Sequence, residues 1–224
     1  TVKILNKFKK KITILKEPKK SSYRARNLGI KNSKGKVIFF IDSDCIAEEN
    51  WLSNMVIAFN RPKVKIVGGP IKAKIKKSAL QKYCDCFSHT QKEHYKKKVF
   101  ATSNLAVRKK DLLKAGLFNT KLMSGSDFEL CSRIIGSPSE IYYEPKGIVY
   151  HYYPNSLLNF IKKSFFRGKW CGIMKRQYKK KFFAFKIDYL GVLGTYGVMF
   201  GIFRVLHGVS FTAGLFIGYF LTEG

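Results

Sequence analysis

Fourteen acidic side chains stand against 43 Lys and Arg in this 224-residue chain, so the carboxylates that remain are conspicuous. Two groups have a spacing suited to chemistry: Asp42 with Asp44, and Asp127 with Glu129. Asp42-Ser43-Asp44 follows an apolar run, residues 37–41, directly. In extended backbone, side chains two positions apart share a face, so both carboxylates would point the same way. Like charges that close raise each other's pKa unless a cation sits between them. Carboxylate oxygens suit a hard divalent ion, Mg2+ or Mn2+, that keeps positions open for substrate phosphates. The competing assignment is an Asp-Ser-Asp turn that caps the following helix. Asp127, taken by itself, reads as a helix N-terminal acid favoured by the dipole.

These groups need elements to position them. Residues 37–41 are five consecutive apolar residues, too few for a helix and rich in β-formers, which predicts a buried parallel strand. Ligands collect at the carboxyl ends of such strands in open α/β sheets. Further short strands are expected at 12–15, 64–67, 140–143 and 147–150, with Gly68-Gly69-Pro70 closing the second of these. Helical spacing covers 23–32, 49–59, 110–115 and 127–135, with Glu48 and Glu49 as N-terminal acids of the second helix. Strands alternating with helices predict an α/β domain with a mostly parallel sheet and flanking helices.

The stretch "ARNLGIKNSKGKVIFFIDSDCIAEENWL" resembles the family-2 glycosyltransferases of the GT-A (Rossmann-like) fold, in which a helix with ARNxG, a strand, a DxD and a Trp-Leu helix follow in order. "ATSNLAVRKKDLLKAGLFN", "GSDFELCSRI" and "YYEPKGIVYHYYPNSLLNFIKKSFFRGK" continue the likeness over roughly residues 10–170. The resemblance implies transfer of a sugar from a nucleotide-sugar donor to a hydroxyl acceptor, with inversion and with a bound Mg2+ or Mn2+. It makes Asp44 the principal metal ligand, puts Asp42 near the ribose or the ion's outer shell, and gives His151 a place at the ion. Arg26 and Asn27 would line the donor pocket. Asn104, Arg108 and Arg167 would approach the acceptor or donor sugar, and Asp127 would be the base. Ser126 stands where the family has Glu; with less like-charge repulsion, the Asp127 pKa should be lower. Lys163 replaces the Gln of the QxxRW pattern, and Arg167 and Trp170 are not adjacent, which disfavours processive synthesis. The chain starts in mid-pattern at Thr1, so the resemblance further implies that a first βαβ unit, carrying nucleotide-binding aspartates, is missing from it.

The remaining features concern location and partners. Residues 189–203 and 208–221 are free of charged side chains and are separated by Arg204-Val205-Leu206-His207. At ~1.5 Å per residue each run spans about 22 Å, short of a ~30 Å hydrocarbon core. Gly197-x-x-x-Gly201 and Gly214-x-x-x-Gly218 would let two such helices approach closely, as a short hairpin or an interfacial pair. Residues 162–186 hold ten Lys/Arg and no acid, which suits the cytoplasmic side of an anionic membrane. The organisation expected is a partial GT-A domain over 1–170, a basic juxtamembrane segment over 171–187 and a membrane-associated apolar tail over 188–224. The acceptor would then be lipid-linked or at the cell surface. The formal charge of +29 also raises a nucleic-acid-binding module, but no reading motif accompanies it. A catalytically inactive, membrane-bound relative is the third alternative. Five cysteines without a CxxC pair read as reduced thiols.

Overall fold

The computed structural model describes residues 2–87, 95–96, 98–178 and 197–221. In chain order its strands are β1 (Val37–Phe40), β2 (Cys45–Ala47), β3 (Ile66–Gly68), β4 (Ile71–Ala73), β5 (Leu105–Arg108), β6 (Ile141–Tyr143) and β7 (Val149–His151). Its helices are α1 (Val2–Asn6), α2 (Ser22–Asn32), α3 (Trp51–Ile57), α4 (Ala79–Phe87), α5 (Lys109–Lys114), α6 (Ser126–Ile134), α7 (Leu157–Gln177) and α8 (Gly197–Phe216). The class is α/β with flanking helices, as the alternation predicts.

Strand direction departs from the prediction. A four-stranded sheet has the order β1-β5-β3-β6, and a three-stranded one β2-β7-β4. β3 runs parallel to β6, but β5 runs against both of its neighbours, β1 and β3. The sheet is therefore mixed rather than mostly parallel, and one inserted, reversed strand accounts for both of its antiparallel ladders. In the smaller sheet β4 pairs parallel with β7, and β2 pairs antiparallel. β1 is an antiparallel edge strand among the described residues, and only Phe40 of its four residues is buried. Residues 12–15 form no strand: no ladder among the described residues includes them, and Ile12, Ile14 and Leu15 are exposed. Glu48 and Glu49 precede α3 rather than entering its first turn; the Glu48 N–H donates to the Ile148 carbonyl instead.

Period-two alternation fills both faces of the larger sheet. Ile66, Leu105, Val107 and Phe40 pack with Tyr23 and Ile30 of α2, Leu112 of α5 and Leu130 of α6. Val67, Ala106 and Phe39 face the other way, onto Trp51 and Met55 of α3. Close approach at the sheet end demands Gly69, where a Cβ would collide with the Gly147 carbonyl oxygen.

A third cluster joins Tyr83 and Cys84 of α4 to Tyr153, Phe160 of α7 and Phe203 of α8. α7 runs unbroken through residue 170, held at its start by the Ser156 side chain, which accepts from the Asn159 N–H. Among the described residues the two apolar tail runs are not separate helices. Residues 197–221 are one helical stretch, α8 followed by a wider π-helical turn (Ile217–Leu221), with Arg204 and His207 inside it. Charge alone does not break backbone hydrogen bonding, and no Gly or Pro lies between 204 and 207. Residues 189–196 of the first run and Lys179–Lys181 lie outside the described residues. Gly214 and Gly218 pack against Gly168 and Gly172 of α7: a Cβ on any of the four would collide with the other helix's backbone. Among the described residues, no helix is long and apolar enough to cross a membrane.

Candidate active site

The turn after β1 carries Asp42 and Asp44 into a cavity of about 520 Å³ lined also by His151, Ser124, Lys163 and Arg167. β2 begins at Cys45, which pairs across the ladder with His151 of β7. Directly opposed residues of an antiparallel pair share a face, so Cys45 and His151 come together there. Asp44 completes the group: its Oδ2 lies 3.4 Å from His151 Nε2. The Asp44 carbonyl also accepts from the Tyr152 N–H, which ties the turn to the end of β7.

The ligand atoms of Asp44, Cys45 and His151 all lie within 4.8 Å of one another. A carboxylate oxygen, an imidazole nitrogen and a thiol at that separation fit a divalent ion. Asp42, expected among the ligands, is instead taken up by Arg26, whose Nη2 donates to Asp42 Oδ1 at 2.5 Å. Burial lowers the His151 pKa, and Lys163 and Arg167 push the same way against the opposing Asp44 and Asp42 charges. The imidazole is thereby kept in the neutral form that a metal ligand requires. Burial, with Asp42 and Asp44 adding to it, pushes the Cys45 thiol up to about 12.

Asp127 sits in the first turn of α6, after Gly125, whose φ of +81° a side chain rarely adopts. Its Oδ2 accepts from the Thr102 N–H at 3.2 Å and its Oδ1 from the Phe128 N–H at 3.1 Å. Burial raises its pKa above the ordinary carboxylate range; the Thr102 N–H and the Arg26 charge oppose this without cancelling it. The lower pKa expected from the missing Glu considers only the lost repulsion, and desolvation is the larger influence. Ser126 is fully buried, its Oγ donating to the Asn119 carbonyl and its N–H to the Tyr23 hydroxyl. Glu129, the other member of that acidic group, is buried and bound by the Arg133 fork at 2.6 and 2.7 Å. It is spent on structure, because Arg133 also holds the Ala115 and Leu117 carbonyls at the end of α5.

Three residues expected at the ligand do other work. Asn27 exchanges two hydrogen bonds with the Phe118 backbone. Asn104 is fully buried: it accepts from Trp51 Nε1 and donates to the Pro70 and Gly147 carbonyls. Arg108, at the far end of β5, donates to the Val64, Phe59 and Arg61 carbonyls and lines a second cavity with Lys63, Lys65 and Lys110. Arg167 does line the cavity of Asp42 and Asp44. Two contributors went unmarked in the sequence. Tyr23 links the Arg26 guanidinium, 5.5 Å from its ring, to the start of α6, and its place three residues before Arg26 on one helix face was the available signal. Cys45 left none.

The Glycosyl transferase family 2 model matches residues 1–117. Glycosyltransferase AglE of Haloferax volcanii is 32% identical over 124 residues, which cover 54% of this chain and 40% of that protein. A dolichyl N-acetyl-alpha-D-glucosaminyl phosphate 3-beta-D-2,3-diacetamido-2,3-dideoxy-beta-D-glucuronosyltransferase of Methanococcus voltae is 26% identical over 196 residues, covering 79% of this chain and 61% of that one. The chain thus spans between about two fifths and three fifths of these relatives' lengths. In fold it is similar to the mannosyltransferase PcManGT from Pyrobaculum calidifontis, solved in complex with GDP-Man and Mn2+. The TM-score is 0.54 at 15% identity, covering 75% of this chain and 47% of that one. With more than half its length matched by the family model, the chain belongs to glycosyl transferase family 2.

Proposed function

We propose that the whole protein transfers a sugar from a nucleotide-sugar donor to a hydroxyl acceptor, with inversion and with a divalent ion, Mg2+ or Mn2+, at Asp44. The observation that carries this reading is the meeting of Asp44 and His151 in a cavity whose lining also presents Lys163 and Arg167. Asp127 lies within electrostatic reach of Arg167 and Arg26. Its carboxylate accepts the acceptor's hydroxyl proton as that oxygen bonds to the anomeric carbon. The bond from that carbon to the diphosphate breaks, and the electron pair leaves with the phosphate. One displacement from one side inverts the centre. Lys163 and Arg167 supply positive charge where the leaving group becomes more negative. An ion bound by Asp44 and His151 would add Lewis-acid stabilisation of that same charge.

With nucleotide-sugars, Mn2+ and a lipid-linked acceptor, the full-length protein is expected to form product, and Asp44→Ala to lower the rate by about 100-fold or more, the worth of several kcal/mol of charge stabilisation. Near-wild-type transfer by that variant would end the metal-dependent reading. A lipid-linked acceptor is supported by the Methanococcus voltae relative, whose name describes a glucuronosyltransferase acting on a dolichyl phosphate sugar.

The same proposal includes attachment to the cytoplasmic surface of the membrane by the segment after the GT-A part (1–170), through basic residues in 171–187 and the apolar stretch 188–224. On α8 and the turn after it, Ile202, Val205, Val209, Phe216 and Phe220 are exposed at helical spacing. Apolar exposure beside clustered Lys suits a helix lying in the headgroup region of anionic lipid. Val209→Glu with Phe216→Glu is expected to weaken binding to phosphatidylglycerol vesicles in co-sedimentation by about 100-fold or more, as loss of two buried apolar side chains implies. Unchanged co-sedimentation would refute the assigned face.

A further inference from the structure

We propose that Cys45 is a third protein ligand of the ion held by Asp44 and His151, and that the centre therefore binds a thiophilic divalent ion of the Zn2+ class more tightly than the Mg2+ or Mn2+ of the functional reading. The inference rests on the functional reading for what the ion is used for, but its chemistry stands on three side chains alone. Cys45 and His151 are register partners across the β2–β7 ladder, so the thiol and the imidazole are held on one face by backbone pairing. The Asp44 turn then sets a carboxylate oxygen 4.0 Å from Cys45 Sγ and another 3.4 Å from His151 Nε2. Ligands bound tetrahedrally at ~2.0–2.3 Å lie roughly 3.3–3.8 Å apart. With all three ligand atoms already within 4.8 Å of one another, small side-chain rotations close the remaining gap.

Donor chemistry then sets the preference. Mg2+ takes oxygen ligands in near-octahedral order, whereas thiolate and imidazole favour Zn2+ and its neighbours. Asp44 and His151 both line the cavity, so a fourth position on the ion would open toward it, free for a diphosphate oxygen. Three protein ligands with one open position is the arrangement of a catalytic zinc centre. On binding, the Cys45 S–H bond breaks, the sulfur–metal bond forms, and the proton passes to solvent.

Titration of the full-length protein with Co2+, a spectroscopic substitute for Zn2+, tests this directly. The expected result is a near-ultraviolet thiolate-to-cobalt band that Cys45→Ser removes and Cys84→Ser, in the same cavity, retains. Outer ligand supports are worth roughly 10–100-fold in metal affinity, so loss of a direct ligand is expected to weaken Zn2+ binding at least about tenfold. Mg2+ affinity should stay within about twofold, since oxygen ligands govern it. Absence of the band in the unmodified protein, or unchanged Zn2+ affinity in Cys45→Ser, overturns the proposal whatever the transfer activity. Absence of sugar transfer with the band intact would instead overturn the functional reading and leave Cys45 as a ligand.

Discussion

Asp127→Asn is expected to lower the rate of sugar transfer by the full-length protein by about 10²–10⁴-fold, the usual worth of a positioned general base. The substitution keeps the side chain's shape and leaves one oxygen to accept from Thr102, so folding and donor binding should persist. What it removes is the proton acceptor. The pH dependence separates this role from a purely structural one. A base must be ionised to act, and burial raises the Asp127 pKa, so activity should climb with pH through a midpoint above the ordinary carboxylate range. The stability linkage has the opposite sign. A carboxyl whose folded-state pKa exceeds its unfolded value binds more protons when folded, so its contribution to stability falls as pH rises through the raised pKa. Thermal unfolding of the Asn variant should lack that fall. A variant with unchanged turnover, or with the same pH-dependent loss of stability, would remove Asp127 from the role of base.

Gly214→Val should detach α8 from α7. Any Cβ at this position meets the Phe165 carbonyl and the Lys169 N–H across the helix crossing, and backbone cannot swing aside as a side chain can. Overpacking of a close-packed interior costs about 1–3 kcal/mol, and a collision with backbone belongs at the upper end. The loss should be local. The two faces of the larger sheet are filled without any residue of α8, whereas the third cluster depends on Phe203. Amide hydrogen exchange across 197–221 is therefore expected to accelerate by about 100-fold, since ~1.4 kcal/mol corresponds to a factor of ten. Exchange in β3 and β5 should hardly change. Unaltered exchange in the tail would show that the crossing does not depend on its four glycines.

The parts of this architecture that were legible in the sequence are those written locally. Apolar residues 37–41 followed by two acids in an acid-poor chain announce a strand that ends at a candidate site. The Gly-Ser-Asp step, with helical spacing after it, announces the start of α6. Strand direction is not local. Nothing in Leu105-Ala-Val-Arg108 tells that this segment inserts between β1 and β3 against their direction. Nor do Asn27 and Asn104 carry any mark of whether their amides face a ligand or bracket buried backbone; long-range contacts decide that, and here they chose the backbone. Cys45 is the same lesson reversed. Alone it is one thiol after a DxD, and it gains chemistry only because the ladder sets it opposite His151. Residues 12–15 show the limit of apolar runs, because a strand exists only where a neighbour completes its ladder.

The place of β1 at the sheet edge has a consequence for how the protein comes into being. Among the described residues its ladder partner is β5, with Phe40 opposite Leu105, about 65 residues later in the chain. On a ribosome adding roughly 5–20 residues per second, β1 waits about 3–13 s for the segment that will pair with it. Through that interval Val37–Phe40 is an apolar strand with open edges, the kind of segment that other chains can capture. The acidic turn that follows has no fixed direction until β5 arrives. Assembly of the ligand group and escape from aggregation are thus timed by one late pairing, and slower synthesis between residues 40 and 105 would prolong the exposure of both.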